Sequence, residues 1–178
     1  ASFGPFFRPS ARQQRLHSAP VDLDVRPIPR EFTGRHWLPA AKLELDATWS
    51  PSSLKATSGE PLTRSLTIRA EGAGVGMLPE LSGPEWPVAG LKQYPDQPVT
   101  SETKTGSGLR GERRQKTALI ATRPGTYTVP AIAIPWWNTV TDRMEVASLP
   151  AATLTIWPSA SSASTEALPP AQGGAGDG

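Results

Sequence analysis

The sequence predicts an all-β, immunoglobulin-like β-sandwich with an extended N-terminal segment and a disordered C-terminal tail. Three observations predict it. Pro and Gly contribute 20 and 16 of the 178 residues, which leaves little room for long helices. Apolar residues recur at every second position in successive short segments, the period of a half-buried strand. Turn-forming clusters separate those segments at the spacing of a sandwich.

Taken in order, residues 1–38 form a lead-in that is mostly irregular. Within it, Val21, Leu23 and Val25 alternate with Asp22 and Asp24 between Pro20 and Pro27. A lone strand is not stable in water, so Val21–Val25 must pair with the next zone or serve as the last strand of an upstream domain. Residues 39–158 form the sandwich. Lys42–Trp49 places Leu43, Leu45, Ala47 and Trp49 on one side, and Leu62–Ala70 sets Leu66, Ile68 and Ala70 against Thr63, Ser65, Thr67 and Arg69. Further strands are expected at Gly90–Tyr94, Arg110–Ala121, Thr126–Trp136, Arg143–Ser148 and Thr153–Trp157. Pro130 and Pro135 interrupt the third of these, so an edge, a bulge or a sheet switch is expected there. Residues 159–178 are mostly Ser, Ala, Pro and Gly, too poor in apolar groups to offset the entropy of ordering. They read as a linker toward something further on.

The totals narrow the chemistry. The chain has 18 basic and 16 acidic residues, so no strong field points to nucleic acid. Cysteine is absent, which removes disulfides, thiol catalysis and Cys-ligated metals. No apolar run is long enough to span a membrane. The chain opens without Met in Pro- and Phe-rich sequence and reads as a segment of a longer protein.

Several constellations have a chemical and a plain reading. His17 and His36 are the whole histidine complement and lie outside the expected core, where solvation or packing explains them better than catalysis. Asp22 and Asp24 share a strand face, as paired carboxylates or as a solvated surface. Gly72-Ala73-Gly74-Val75-Gly76 has the look of a phosphate loop, but the following Met77–Pro84 cannot make the required helix, so a flexible loop is the better account. Arg110, Arg113, Arg114 and Lys116 enclose Glu112 with no aromatic residue between them, and read as a charged sheet face. Trp136 and Trp137, adjacent on a strand, should face opposite ways, one anchoring the core and the other partly exposed at an interface or a sugar-stacking platform. No catalytic residue, cofactor or metal ligand is expected, and an enzyme is the least favoured class.

The ordered motifs Trp37-Leu38-Pro39-Ala40, Gly59-Glu60-Pro61-Leu62-Thr63-Arg64, Leu78-Pro79-Glu80-Leu81, Tyr94-Pro95-Asp96-Gln97-Pro98, Gly125–Pro130, Pro135-Trp136-Trp137-Asn138 and Leu149-Pro150-Ala151 resemble the periplasmic region of BatD, the oxygen-tolerance (Bacteroides aerotolerance) family. The resemblance runs from about Trp37 to Pro158, and the Phe6-Phe7 and Pro20–Pro29 stretches are similar to that family's lead-in. It implies tandem periplasmic β-sandwiches, a membrane anchor through a helix beyond residues 159–178, and a role in oxygen or stress tolerance. It further implies partners that are membrane proteins with von Willebrand A domains, linked to MoxR-type ATPases. The family has no accepted catalytic residues to carry over.

Two expectations follow. Gly125-Thr126-Tyr127-Thr128-Val129 has the pattern of a tyrosine corner, in which the hydroxyl bonds back to nearby backbone. The expected function is non-catalytic protein–protein interaction or scaffolding, with a glycan- or peptidoglycan-binding module built on Trp136 or Trp137 as the alternative. Von Willebrand A domains often hold a divalent cation with a position open for a partner's carboxylate. Asp96, stiffened between Pro95 and Pro98, is the candidate for that carboxylate, the plainer reading being a turn-forming Asp.

Overall fold

Alternation is realised as eleven strands among the described residues of the computed structural model, which are 15–82, 87–106 and 108–159. They are β1 (Pro39–Ala40), β2 (Lys42–Ser50), β3 (Lys55–Thr57), β4 (Pro61–Glu71), β5 (Leu91–Pro95), β6 (Val99–Thr105), β7 (Gly108–Ala121), β8 (Gly125–Val129), β9 (Ile132–Asn138), β10 (Arg143–Leu149) and β11 (Ala152–Trp157). The one helical element is a 3-10 turn over Val75–Met77, and no helix among these residues is long and apolar enough to cross a membrane. The Phe6-Phe7 stretch and the tail from residue 160, expected to be disordered, lie outside the described residues.

One layer is unbroken. β2, β4 and β7 pair antiparallel along their lengths, and β5 and β6 share the far edge of β7. Its inward register is the one the alternation predicts, with Leu62, Leu66, Ile68 and Ala70 of β4 all buried. Leu119 and Ala121 of β7 are buried beside them. Burying a large aliphatic side chain contributes roughly 1.5–3 kcal/mol.

The opposite layer is a long hairpin, β8–β9 returning as β10–β11, and it is split. β9 and β10 form a sheet with β1, while β8 and β11 form another with β3. Val129 pairs with Ala152 on one side of the break and Ile132 with Leu149 on the other, so Pro130-Ala131 faces Pro150-Ala151 and the register carries through. The phase does not. Val129 points inward before the break, and Ile132, Ile134 and Trp136 after it. The returning strands change likewise, Leu149 packing against the core before the break and Leu154 and Ile156 after it. A proline in each link lacks the N–H that a ladder needs. The sheet switch expected at Pro130 is therefore present, and Thr126–Trp136 is two strands. Pro135 stays inside β9. Trp137 N–H and Thr139 N–H bond to Leu38 and Ala40 carbonyls, each at 2.9 Å, so by alternation the Pro135 nitrogen faces the same edge, beyond the end of β1.

Two clusters lie end to end between the layers. Leu38, Leu66, Ile68, Leu81, Ile134 and Trp136 belong to one, and Leu62, Leu119, Val129, Leu154 and Ile156 to the other. The tyrosine corner is present in the second: the Tyr127 hydroxyl donates to the Arg123 carbonyl at 2.8 Å.

Two expectations are corrected, and one strand is present that the alternation does not signal. Val21–Val25 forms no strand, and Val21, Leu23 and Val25 are all more than four-fifths exposed: the alternation is there, but the segment does not pair with the sandwich that follows it. The Gly72–Gly76 loop is tied down. Gly72 N–H bonds to the Leu109 carbonyl at 2.8 Å, Ala73 bridges to Arg110, and Val75 N–H donates to Glu102 Oε2 at 2.9 Å. It crosses so close to β7 that a Cβ on Gly111 would lie 2.9 Å from the Val75 nitrogen. Val99–Thr105, which shows no apolar alternation, is the added strand.

Candidate interaction surface

The edge of the unbroken layer is built from β5 and β6 with a bulge between them. Pro95 pairs with Thr117 and Val99 with Arg114, so Asp96, Gln97 and Pro98 face only Gln115 and Lys116. One extra residue on the edge strand is a β-bulge, which bends the strand and re-aims its side chains. Gln115 holds the bulge from beneath. It is buried, and its amide donates to the carbonyls of Asp96 and Lys116. Asp96 N–H donates to the Lys116 carbonyl at 2.9 Å. Leu66 sits directly opposite Gln115 on β4, so the core itself fixes the amide that grips the bulge.

Asp96 is exposed. Its Oδ1 accepts the N–H of Gln97 at 2.9 Å, the local turn that Asp side chains favour, and Oδ2 takes no hydrogen bond from the described residues. The carboxylate is thus orientated by one oxygen and presented by the other. Beyond it, all seven residues of β6 are exposed, and the strand pairs on one side only, with β7. Thr100, Thr103 and Thr105 supply β-branched stiffness without apolar surface.

The outer face of the same layer carries the basic cluster, as a charged sheet face. The Arg69 guanidinium donates to Glu112 Oε2 at 2.9 Å and to Asp46 Oδ2 at 2.7 Å, and Glu112, then Asp46, hold its pKa above the usual range. Arg110 pairs with Glu71 at 3.4 Å and Arg114 with Glu112 at 3.3 Å. Exposed pairs of this kind contribute about 0.2–1 kcal/mol. Arg113 belongs to the opposite, inward face, opposite Ile68.

Trp136 and Trp137 are both buried, at 5% and 7% exposure, where one was expected to show a face. The reason lies in the lead-in. Trp37 packs on Trp137 with ring centroids 6.1 Å apart, and Phe32 meets Trp37 edge-on at 4.9 Å. Trp137 Nε1 donates to Asp142 Oδ1 at 3.1 Å, satisfying its polar end. Nothing in the strand periodicity signals that a segment a hundred residues upstream covers this ring. Asp96 belongs to the edge of the unbroken layer and the two indoles to the opposite layer, so the sequence candidates do not form one site.

The other constellations do not converge. His17, Asp22 and Asp24 lie on the exposed lead-in. His36 lines a cavity of about 170 Å³ with Leu38, Pro79, Ile134 and Pro135. Among the described residues no group of three His, Asp or Glu is placed to hold a metal ion.

The family model described as the BatD DUF11-like domain matches residues 49–163, more than half of the chain, from the end of β2 past the last strand. No curated protein and no solved structure matches it.

Proposed function

The chain belongs to the BatD family, which makes it an aerotolerance-related protein, and on that footing we propose that it is a non-catalytic interaction domain. It works in the periplasm as part of a membrane-anchored protein. Its partners are membrane proteins with von Willebrand A domains, linked to MoxR-type ATPases. The observation that carries this reading is the edge of the unbroken layer. An exposed carboxylate stands on a bulge pinned by a buried amide, beside a strand whose outer side is unpaired.

Each part suits a protein partner. A bulge stiffened by Pro95 and Pro98 loses little freedom on binding. Asp96 supplies a hard oxygen ligand for a divalent cation held by the partner. The open side of β6 offers backbone donors and acceptors for an added strand. The glycan-binding alternative has less support, because Trp136 and Trp137 are covered and offer no ring face to a sugar.

Affinity capture from membranes, with and without magnesium, tests the proposal. Asp96→Ala should abolish magnesium-dependent capture of the von Willebrand A partner while leaving the thermal midpoint nearly unchanged. Capture that survives the substitution removes Asp96 from the account, and capture of no such partner by the parent chain overturns the reading.

A further inference from the structure

The inward row of β4 reads Leu62, Arg64, Leu66, Ile68, and the arginine is as buried as its neighbours, at 3% exposure. Among the described residues its Nε has no hydrogen-bond partner, and no carboxylate pairs with it. Its one polar complement is the face of Trp49, 5.9 Å from the guanidinium carbon. A ring face attracts a cation but does not return the hydrogen bonds that guanidinium donors lose on leaving water. Burial pulls the pKa of Arg64 down, yet an arginine remains protonated in a protein. The charge therefore stands between the two apolar clusters without a counter-charge among the described residues, an arrangement proteins seldom keep.

A cavity of about 30 Å³ lies against it, lined also by Trp49, Leu66, Val129, Ile132 and Leu149, with the exposed Pro130 and Pro150 at its rim. It sits where the opposite layer breaks. The room takes about two oxygen-sized atoms, enough for the head of a carboxylate whose stem reaches back to the apolar rim, and too small for a sugar ring. A water would answer one donor without answering the charge. Phosphate would need several further donors, and the walls here are apolar. A carboxylate meets both demands: two coplanar oxygens match the guanidinium fork, and an aliphatic stem suits the lining.

We infer that Arg64 is the receptor of a carboxylate-binding site at the waist of the sandwich, entered between Trp49 and the Pro130/Pro150 break, for a small free acid or for an Asp or Glu side chain. The site is independent of Asp96.

Trp49 in its wall makes emission a natural readout. The intact chain is titrated at constant ionic strength with acetate, propionate, the amides of N-acetylaspartate and N-acetylglutamate, and chloride, following Trp emission and the thermal midpoint. Saturable change with a carboxylate and none with chloride is the expected result. Saturation by acetate or propionate marks a site for free acids, and saturation by the amino-acid amides alone marks one for a side chain. Arg64→Met should remove the response and, in chloride, be at least as stable as the parent, because it takes away an unanswered charge. Arg64→Lys keeps the charge, loses the fork, and should weaken the response about tenfold; it decides the matter if the Met variant does not fold. An equal response to chloride, no saturation, or an unchanged response in Arg64→Met would overturn the inference and leave Arg64 a hydrated packing residue.

Discussion

The two layers solve the same problem differently. In the unbroken layer β4 and β7 keep one phase from end to end, so every second residue faces the interior whatever its chemistry. That constancy carries Arg64, Gln115 and Thr117 inward along with the leucines. In the split layer the phase is reset once, at Pro130-Ala131 and Pro150-Ala151, and the inward residues flanking the break are apolar, with the buried Asn138 only at the far end of β9. A strict period of two forces polar residues into a core wherever the sequence supplies them, and a paired interruption lifts that constraint at the expense of ladder bonds. The polar waist and the break face each other across the sandwich, which is why the cavity beside Arg64 lies there.

The largest expected effect breaks that pairing. Deleting Ala131 alone leaves one residue facing two and throws β9 out of step with β10. We expect a loss on the order of 4 kcal/mol in denaturant titration, at the upper end of single-site effects. Deleting Ala131 and Ala151 together restores the match and gives both strands a continuous alternation, so the double deletion should recover part of that loss, a coupling that a double-mutant cycle reads directly. A double deletion as damaging as the sum of the singles would show that the two links are separate kinks. Next in size, Ile68→Ala in one cluster and Leu154→Ala in the other should each cost about 2–5 kcal/mol and shift one shared transition. Two transitions that respond separately would mean that the clusters unfold independently across the waist. The smallest effect belongs to the corner at the start of β8. Tyr127→Phe removes a single hydrogen bond and should cost about 1 kcal/mol, and an unmoved denaturation midpoint would deny the hydroxyl any part in holding the split layer.

How far the sequence could be read follows from the same contrast. Lys42–Trp49 and Leu62–Ala70 were legible because their period is uniform, whereas Arg64, which shares the inward parity of Leu66 and Ile68, went unread because its charge argues for solvent. The tyrosine corner was legible because its residues are local. The trouble at Pro130 was visible in the proline, whereas the phase reset was not, since it depends on a second proline twenty residues later. β6 escaped notice because exposure on both faces leaves no apolar alternation to read. Val21–Val25 shows the converse, a strand pattern that joins no strand among the described residues. The burial of Trp137 depends on Phe32 and Trp37 in the lead-in, a tertiary contact that no periodicity encodes. Of the candidate surface, the sequence marked Asp96 and its flanking prolines, but not Gln115, whose buried amide gives the bulge its shape.

The bulge at Asp96–Pro98 has a consequence for how copies of the chain meet. A straight, fully extended rim opposite the fourteen-residue β7 would be a template on which identical molecules could stack rim to rim into filaments. Three residues facing two divide that rim into runs of five and seven that do not share one plane, and Pro95 and Pro98 withhold donors at the join. A short guest segment still finds a run long enough to grip, while a second copy meets a step it cannot follow, so the same kink that presents Asp96 also discourages self-polymerisation.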